Sequence, residues 1–258
     1  MTRLHAQALG VVLGRRSVLD GAELTLEGGA LTVIVGPNGA GKTTLMRCLA
    51  GLLPPRHGGV FLDGRPLSSH SARERARLIA YLPQGGTIAW PLPVATVAAL
   101  GRLPHGERPE ALPPAGREAV RDALAATGLE AFTDRPATAL SGGERARALL
   151  ARALSTRAPV LLADEPVAAL DPRHQLVVLD ALRAYAHAGA VVAVIMHDLG
   201  LAARSADRVV LLDGGRVCAE GGPEEVLTQD RIARSFGIAA RVARHDGRLT
   251  IIPERPLP

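Results

Sequence analysis

Short apolar runs separated by stretches of helical periodicity set the pattern of this chain. Leu31 to Val35, Val160 to Ala163 and Ala190 to Met196 are nearly uninterrupted apolar segments rich in β-branched residues. Runs this brief and this apolar predict strands buried on both faces of a parallel sheet. A helix is predicted from Thr44 to Leu53, and another over 116–127 (GREAVRDALAAT). Leu149, Leu150, Ala153 and Leu154 recur at helical spacing and form one apolar face. Residues 3–30 and 58–67 read as short strands around turns such as Leu62-Asp63-Gly64-Arg65. From 85 to 139 the pattern breaks, because Pro91, Pro93, Pro104, Pro109, Pro113 and Pro114 interrupt the helical stretches.

At 258 residues and 26.9 kDa, the chain is one large domain or two small ones, with enough apolar sequence to bury a core. That excludes disorder as its main description. The longest apolar stretch, 190–196, falls far short of the roughly 18 residues a membrane-spanning helix needs. The start, MTRLHAQALG, lacks the pattern of a secretory signal. Cys48 and Cys218 show neither metal spacing nor a disulfide framework, so a reducing compartment is expected. Scattered arginines and few aromatics leave stacking platforms for nucleic acid unsupported. Arg73, Arg75 and Arg77 read as a solvated helix face, the alternative being a patch for acidic headgroups or a partner loop.

The net charge of +5 hides a sharper signal: of thirty basic residues only Lys42 is a lysine, and Asn38 is the only asparagine. Both lie in Gly36-Pro37-Asn38-Gly39-Ala40-Gly41-Lys42-Thr43, which matches G-x-x-x-x-G-K-[ST] between a predicted strand and a predicted helix. Glycines let backbone N–H groups converge on phosphate, and the helix N-terminus adds partial positive charge. Lys42 is a flexible point charge that arginine's planar fork would not replace, and Thr43 offers a hydroxyl to Mg²⁺. A second site follows the predicted strand 160–163, where Asp164 and Glu165 stand at its carboxyl end; an acidic turn would explain them equally well in isolation. The strand 190–196 ends in His197, at the same sheet edge. Ser141 with Glu144 three residues on is a capping box, and Gly142 and Gly143 open a second backbone phosphate surface at that helix start.

Taken in order, GPNGAGKTT, Gln84 in YLPQ, LSGGE, LLADEP, ALD at 169–171 and His197 resemble the motifs of ATP-binding cassette ATPases, over residues 3 to about 235. The resemblance implies an α/β fold: a P-loop core with a RecA-like parallel sheet, an N-terminal antiparallel β subdomain, and a helical subdomain inserted at 85–139. The tail, 236–258, carries no legible chemistry. By the same resemblance, Gly36 to Thr44 bind the phosphates of ATP, while Thr43, Gln84 and Asp164 serve Mg²⁺. Glu165 is the catalytic base, with Gln84 sensing metal and water and His197 the γ-phosphate. Ser141, Gly142 and Gly143 bind ATP held by a second copy, Asp171 contacts that copy, and the two chains close head-to-tail.

A single cassette resembles the ATPase subunit of a multi-subunit importer, and residues 79–105 resemble the iron-siderophore, haem and vitamin B12 branch. The implied partners are two transmembrane permease subunits and, indirectly, a solute-binding protein. The implied location is the cytoplasmic face of the membrane, with no nucleic acid partner. The competing reading is a soluble cassette ATPase acting on ribosomes or nucleic acid. One departure stands out: Leu13 occupies the position where the family places an aromatic ring against adenine, leaving aliphatic surface and Arg15 to receive the base.

Overall fold

A computed structural model describes residues 1–168, 170–245 and 248–257. The chain opens with β1 (Arg3–Leu13) and β2 (Arg16–Glu27), then enters the core through β3 (Leu31–Val35) and α1 (Lys42–Leu49). It returns through β4 (His57–Leu62), β5 (Arg65–Pro66), α2 (Ala72–Leu78) and β6 (Ile79–Leu82). The segment from 85 to 139 holds α3 (Val94–Ala99), a 3-10 turn over Leu100–His105, and α4 (Pro114–Ala126). The helix α5 (Gly142–Ser155), β7 (Val160–Asp164), α6 (Pro172–His187), β8 (Val191–Ile195), α7 (Leu199–Ser205), β9 (Arg208–Asp213) and β10 (Arg216–Gly221) follow. The chain closes with α8 (Pro223–Val226), α9 (Gln229–Phe236) and a hairpin of β11 (Ile238–His245) and β12 (Arg248–Pro256).

The central sheet runs β10-β9-β3-β8-β7-β6. Every neighbouring pair is parallel except the edge pair β10·β9, which is antiparallel. The three predicted core strands sit beside one another in it, each wholly buried. Their alternation explains the continuous apolar runs. Leu31, Val33, Leu161, Ala163, Val192 and Val194 face a core shared with the helices. Ile34, Leu162, Ala193 and Ile195 face the opposite core, shared with α1 and the β subdomain.

The N-terminal segment is more extended than its turn-rich sequence predicts. The strands β1 and β2 are 11 and 12 residues long and pair antiparallel in a second sheet, β2-β1-β4-β5. Register shifts along β1 obscure the strict two-residue alternation that would have revealed its length. The predicted helix 44–53 is also shorter at its far end, since Ala50 to Leu53 turn back onto the carbonyls of Arg47, Met46 and Cys48. In the stretch after 236, without legible chemistry in sequence, β11 pairs with β12 and seats Ala240, Leu249 and Ile251 in the main core. Among the described residues no helix is long and apolar enough to cross a membrane.

The helical segment is clasped to the C-terminus of α5. Arg102, 7% exposed, donates to the carbonyls of Ser155 and Thr156 and forks onto Glu107, while Ser155 Oγ donates to Ala98 O at 2.6 Å. These bonds satisfy helix-end carbonyls that would otherwise be orphaned. A Cβ on Gly101 would lie 2.1 Å from Arg152 O and 2.2 Å from Ser155 Oγ. Gly101→Ala should therefore destabilise the fold by about 1–3 kcal/mol. Urea denaturation checks this, and an unchanged midpoint would show that the clasp yields freely.

Candidate functional site

The loop between β3 and α1 is shaped by close approach. A Cβ on Gly36 would sit 2.0 Å from Leu212 O, and one on Gly41 would sit 2.8 Å from Val18 O, with φ +100 already in the left-handed region. No side chain caps α1, so its first-turn N–H groups stay available to an anion. Lys42, 6% exposed, folds back and donates to the carbonyls of Gly36 at 2.7 Å and Pro37 at 2.9 Å. Burial pulls its pKa down, against the carboxylates of Glu165 and Asp164.

An open cleft of about 510 Å³ forms in front of this loop. Asn38, Gly39, Gly41, Lys42, Thr43 and Thr44 line it from the loop and α1; Gln84, Glu165 and His197 line it from the ends of β6, β7 and β8. Parallel pairing delivers those three to one edge, as predicted for Glu165 and His197 from their strand ends; Gln84 joins them from β6, a strand the sequence pattern did not predict. Gly36, Pro37 and Ala40 form the back of the loop instead; Ala40 is buried and accepts from Gly215 N.

Glu165 is held from two sides. Gln84 Nε2 donates to its Oε2 at 2.7 Å, and His197 Nε2 pairs with its Oε1. Its backbone lies at φ +53, a conformation that costs a non-glycine residue about 1–3 kcal/mol. That cost aims the carboxylate into the cleft, where it can take a proton from water.

Asp164 sits behind Thr43 at 1% exposure, outside the cleft lining, and neither carboxylate oxygen makes a hydrogen bond. Burial raises its pKa; the Thr43 hydroxyl and the Arg47 and Lys42 charges oppose the rise, and Glu165 adds to it. Two unpaired carboxylate oxygens beside a hydroxyl are the donor set a hard divalent cation takes, so these residues fit Mg²⁺.

The second cleft, about 430 Å³, holds Ser141, Gly143, Glu144 and Asp171. The capping box forms: Glu144 N donates to Ser141 Oγ at 3.2 Å, and Ser141 N to Glu144 Oε2 at 2.8 Å. Gly142 starts the same helix, with open space where a Cβ would stand. Ala169 of the 169–171 motif lies outside the described residues. None of the residues lining this cleft lines the phosphate-loop cleft.

Three features escaped sequence reading. Arg16 and Val18, not Leu13 and Arg15, line the phosphate-loop cleft. The cause is the tight β1–β2 turn, which pairs Leu13 with Arg16 and puts alternate residues of β2 on the cleft side. His174 hydrogen-bonds Asp171, legible only as an i, i+3 pair. The buried Tyr81 hydroxyl behind Asp164 left no sequence signal at all.

The pattern of the ABC transporter family matches residues 19–168. The chain belongs to that family of ATPases. It is 46% identical to the Hemin import ATP-binding protein HmuV of Streptomyces coelicolor, an alignment covering 97% of this chain and 89% of that one. It is 43% identical to the protein of the same name from Pseudomonas aeruginosa, over 95% and 96%. A solved ATP-binding subunit of an ABC transporter superposes with a TM-score of 0.75 at 26% identity, covering 91% of this chain and 93% of that one. The α/β cassette expected from the motifs is the fold observed, and binding and hydrolysis of ATP are this family's activity.

Because burial raises the pKa of Asp164, the folded state favours its protonated form. Stability from this group is complete below the ordinary carboxylate range and is lost as pH rises through the raised folded value. Asp164→Asn should therefore stabilise the free protein at pH 7 by about 1–3 kcal/mol. Thermal denaturation without nucleotide reads this as a higher melting temperature; a lower one would mean the carboxylate is already satisfied.

Proposed function

We propose that this chain is the ATP-hydrolysing subunit of a multi-subunit ABC importer and that its solute is haem. One observation carries the ATPase chemistry: a single cleft gathers a phosphate loop, a buried lysine, and a carboxylate positioned by an amide and an imidazole. The names of the relatives, at 46% and 43% identity, support import and the solute.

In this reading Gly36 to Thr44 wrap the triphosphate and Lys42 shifts from the loop carbonyls to the β- and γ-phosphates. Thr43 and Asp164 would hold Mg²⁺, with Gln84 beside it; bound there, the cation supplies neutralisation of phosphate charge. Glu165 takes the proton from the attacking water as the γ-phosphorus–oxygen bond to ADP breaks. His197 orients Glu165 and meets the γ-phosphate. Arg16 and Val18 receive the nucleoside side in place of an aromatic ring.

The two clefts of one chain share no lining residue, which supports a composite site. Ser141, Gly142, Gly143 and Asp171 of one copy would close over ATP bound to the phosphate loop of a second, in a head-to-tail dimer. The mainly apolar hollow lined by Ala95, Ala99, Leu112, Val120 and Leu124 suits a permease segment at the membrane's cytoplasmic face. A solute-binding protein would act through the permease rather than on this chain. A ribosomal or nucleic acid role finds no comparable support.

Glu165→Gln should abolish steady-state phosphate release yet retain an ATP-bound dimer by light scattering; substantial turnover would remove Glu165 from its role. Lys42→Ala should weaken ATP binding at least tenfold by calorimetry, and unchanged affinity would contradict the loop assignment. Purification from membranes should bring two permease subunits and haem-stimulated ATPase activity on reconstitution. Ribosomes in their place would overturn the importer reading.

A further inference from the structure

The dimer reading assigns Asp171 to the contact between copies, yet an exposed aspartate is a poor anchor unless something fixes it. Its side chain is 58% exposed. As N-cap of α6, its Oδ1 accepts from His174 N at 3.0 Å, which immobilises only one oxygen. The second oxygen, Oδ2, lies 2.6 Å from His174 Nδ1. One residue therefore grips both carboxylate oxygens, with its backbone and with its ring. These hydrogen bonds and the nearby imidazole hold the Asp171 carboxyl below the usual range, so the gripped form is the carboxylate. The pair stands in the wall of the cleft that contains Ser141 and Gly143, beside Glu144, Arg147 and Arg173.

We propose that His174 is a positioning residue for ATP-driven dimerisation: its Nδ1–H locks the Asp171 carboxylate in the orientation that the partner copy meets. This rests on the dimer reading above. The role requires a donor at the Nδ1 position, and the tautomer follows, with the proton on Nδ1 and Nε2 directed elsewhere. Without the ring, Oδ2 rotates among solvent partners, and the carboxylate must be ordered at the moment of closure. Asparagine places an amide donor close to where Nδ1 stands; leucine fills similar space with no donor.

The experiment uses the full-length Glu165→Gln chain, in which ATP accumulates the dimer, titrated with Mg-ATP and followed by light scattering. In this background, His174→Ala and His174→Leu should raise the ATP concentration at half-dimerisation about three- to tenfold, the value of one ordinary net hydrogen bond, because solvent screens the exposed Asp171 carboxylate. His174→Asn should restore it to within about twofold, while nucleotide affinity of the monomer by calorimetry stays unchanged in all three. Melting temperatures identify any variant that fails to fold, and the Asn and Leu variants then decide the question between them. If Glu165→Gln alone dimerises but Asn and Leu give the same midpoint, His174 has no positioning role. If Glu165→Gln does not dimerise with ATP, the dimer reading itself fails, a different result.

Discussion

Parallel pairing of β3, β6, β7 and β8 is the constraint on which the rest of this molecule depends. Strands in such a sheet all point the same way, so their carboxyl ends share one edge, and whatever residue follows each strand is delivered there. The phosphate loop follows β3, Gln84 follows β6, Glu165 follows β7 and His197 follows β8. These positions span more than 150 residues of sequence, and no local interaction brings them together. What does so is the burial of two apolar faces per strand, which holds the strands side by side between two cores.

That rigidity allows unfavourable features to persist at the edge. Glu165 keeps a left-handed backbone, Asp164 keeps two unpaired carboxylate oxygens, and Lys42 is buried with its charge against carbonyl oxygens. Each would relax in a softer frame. Their coincidence within one small region marks it as built for something other than stability, since buried charge without a matched partner is costly. An anion with an attendant cation is the ligand that relieves these tensions together. With ATP and a cation bound as proposed, the lysine would gain phosphate oxygens, the aspartate positive charge, and the α1 N–H groups acceptors.

Sequence reading found the parts whose signal is local. A glycine pattern between an apolar run and a helix, an acidic pair ending a strand, and Ser141 three residues before Glu144 each carry their physical reason within a few positions. The partners of Glu165 were legible as residues but not as a geometry, because Gln84 and His197 lie 81 and 32 residues away. The place of the β subdomain was legible but the length of its strands was not, since bulges along β1 break the alternation that reveals strands. That Arg16 and Val18 line the phosphate-loop cleft was hidden for a related reason. Which side of a hairpin faces the loop depends on how tight its turn is, and Gly14-Arg15 proved to be the whole turn. The C-terminal hairpin shows the opposite limit: its few apolar side chains pack onto α7 and α9, a tertiary partnership that composition does not display.

The separation of the two clefts has a mechanical consequence. Ser141 caps α5, and the far end of that helix is gripped by the 85–139 segment: Arg102 donates to the Ser155 carbonyl, Ala98 O accepts from Ser155 Oγ, and Gly101 packs against Arg152 O. A displacement of α3 and its following turn must therefore carry α5 with it, or break several buried hydrogen bonds at once. The phosphate loop belongs to the sheet and lacks this attachment. Force applied at the helical segment would therefore be transmitted to α5, the helix that carries the Ser141 surface. In the dimer proposed above, the Ser141 surface would meet a phosphate held by another copy, since its own chain's phosphate-loop cleft contains none of its residues. In that reading the clasp on α5 would tie nucleotide closure to movement of the helical segment, the coupling an ATPase needs to drive a separate membrane protein.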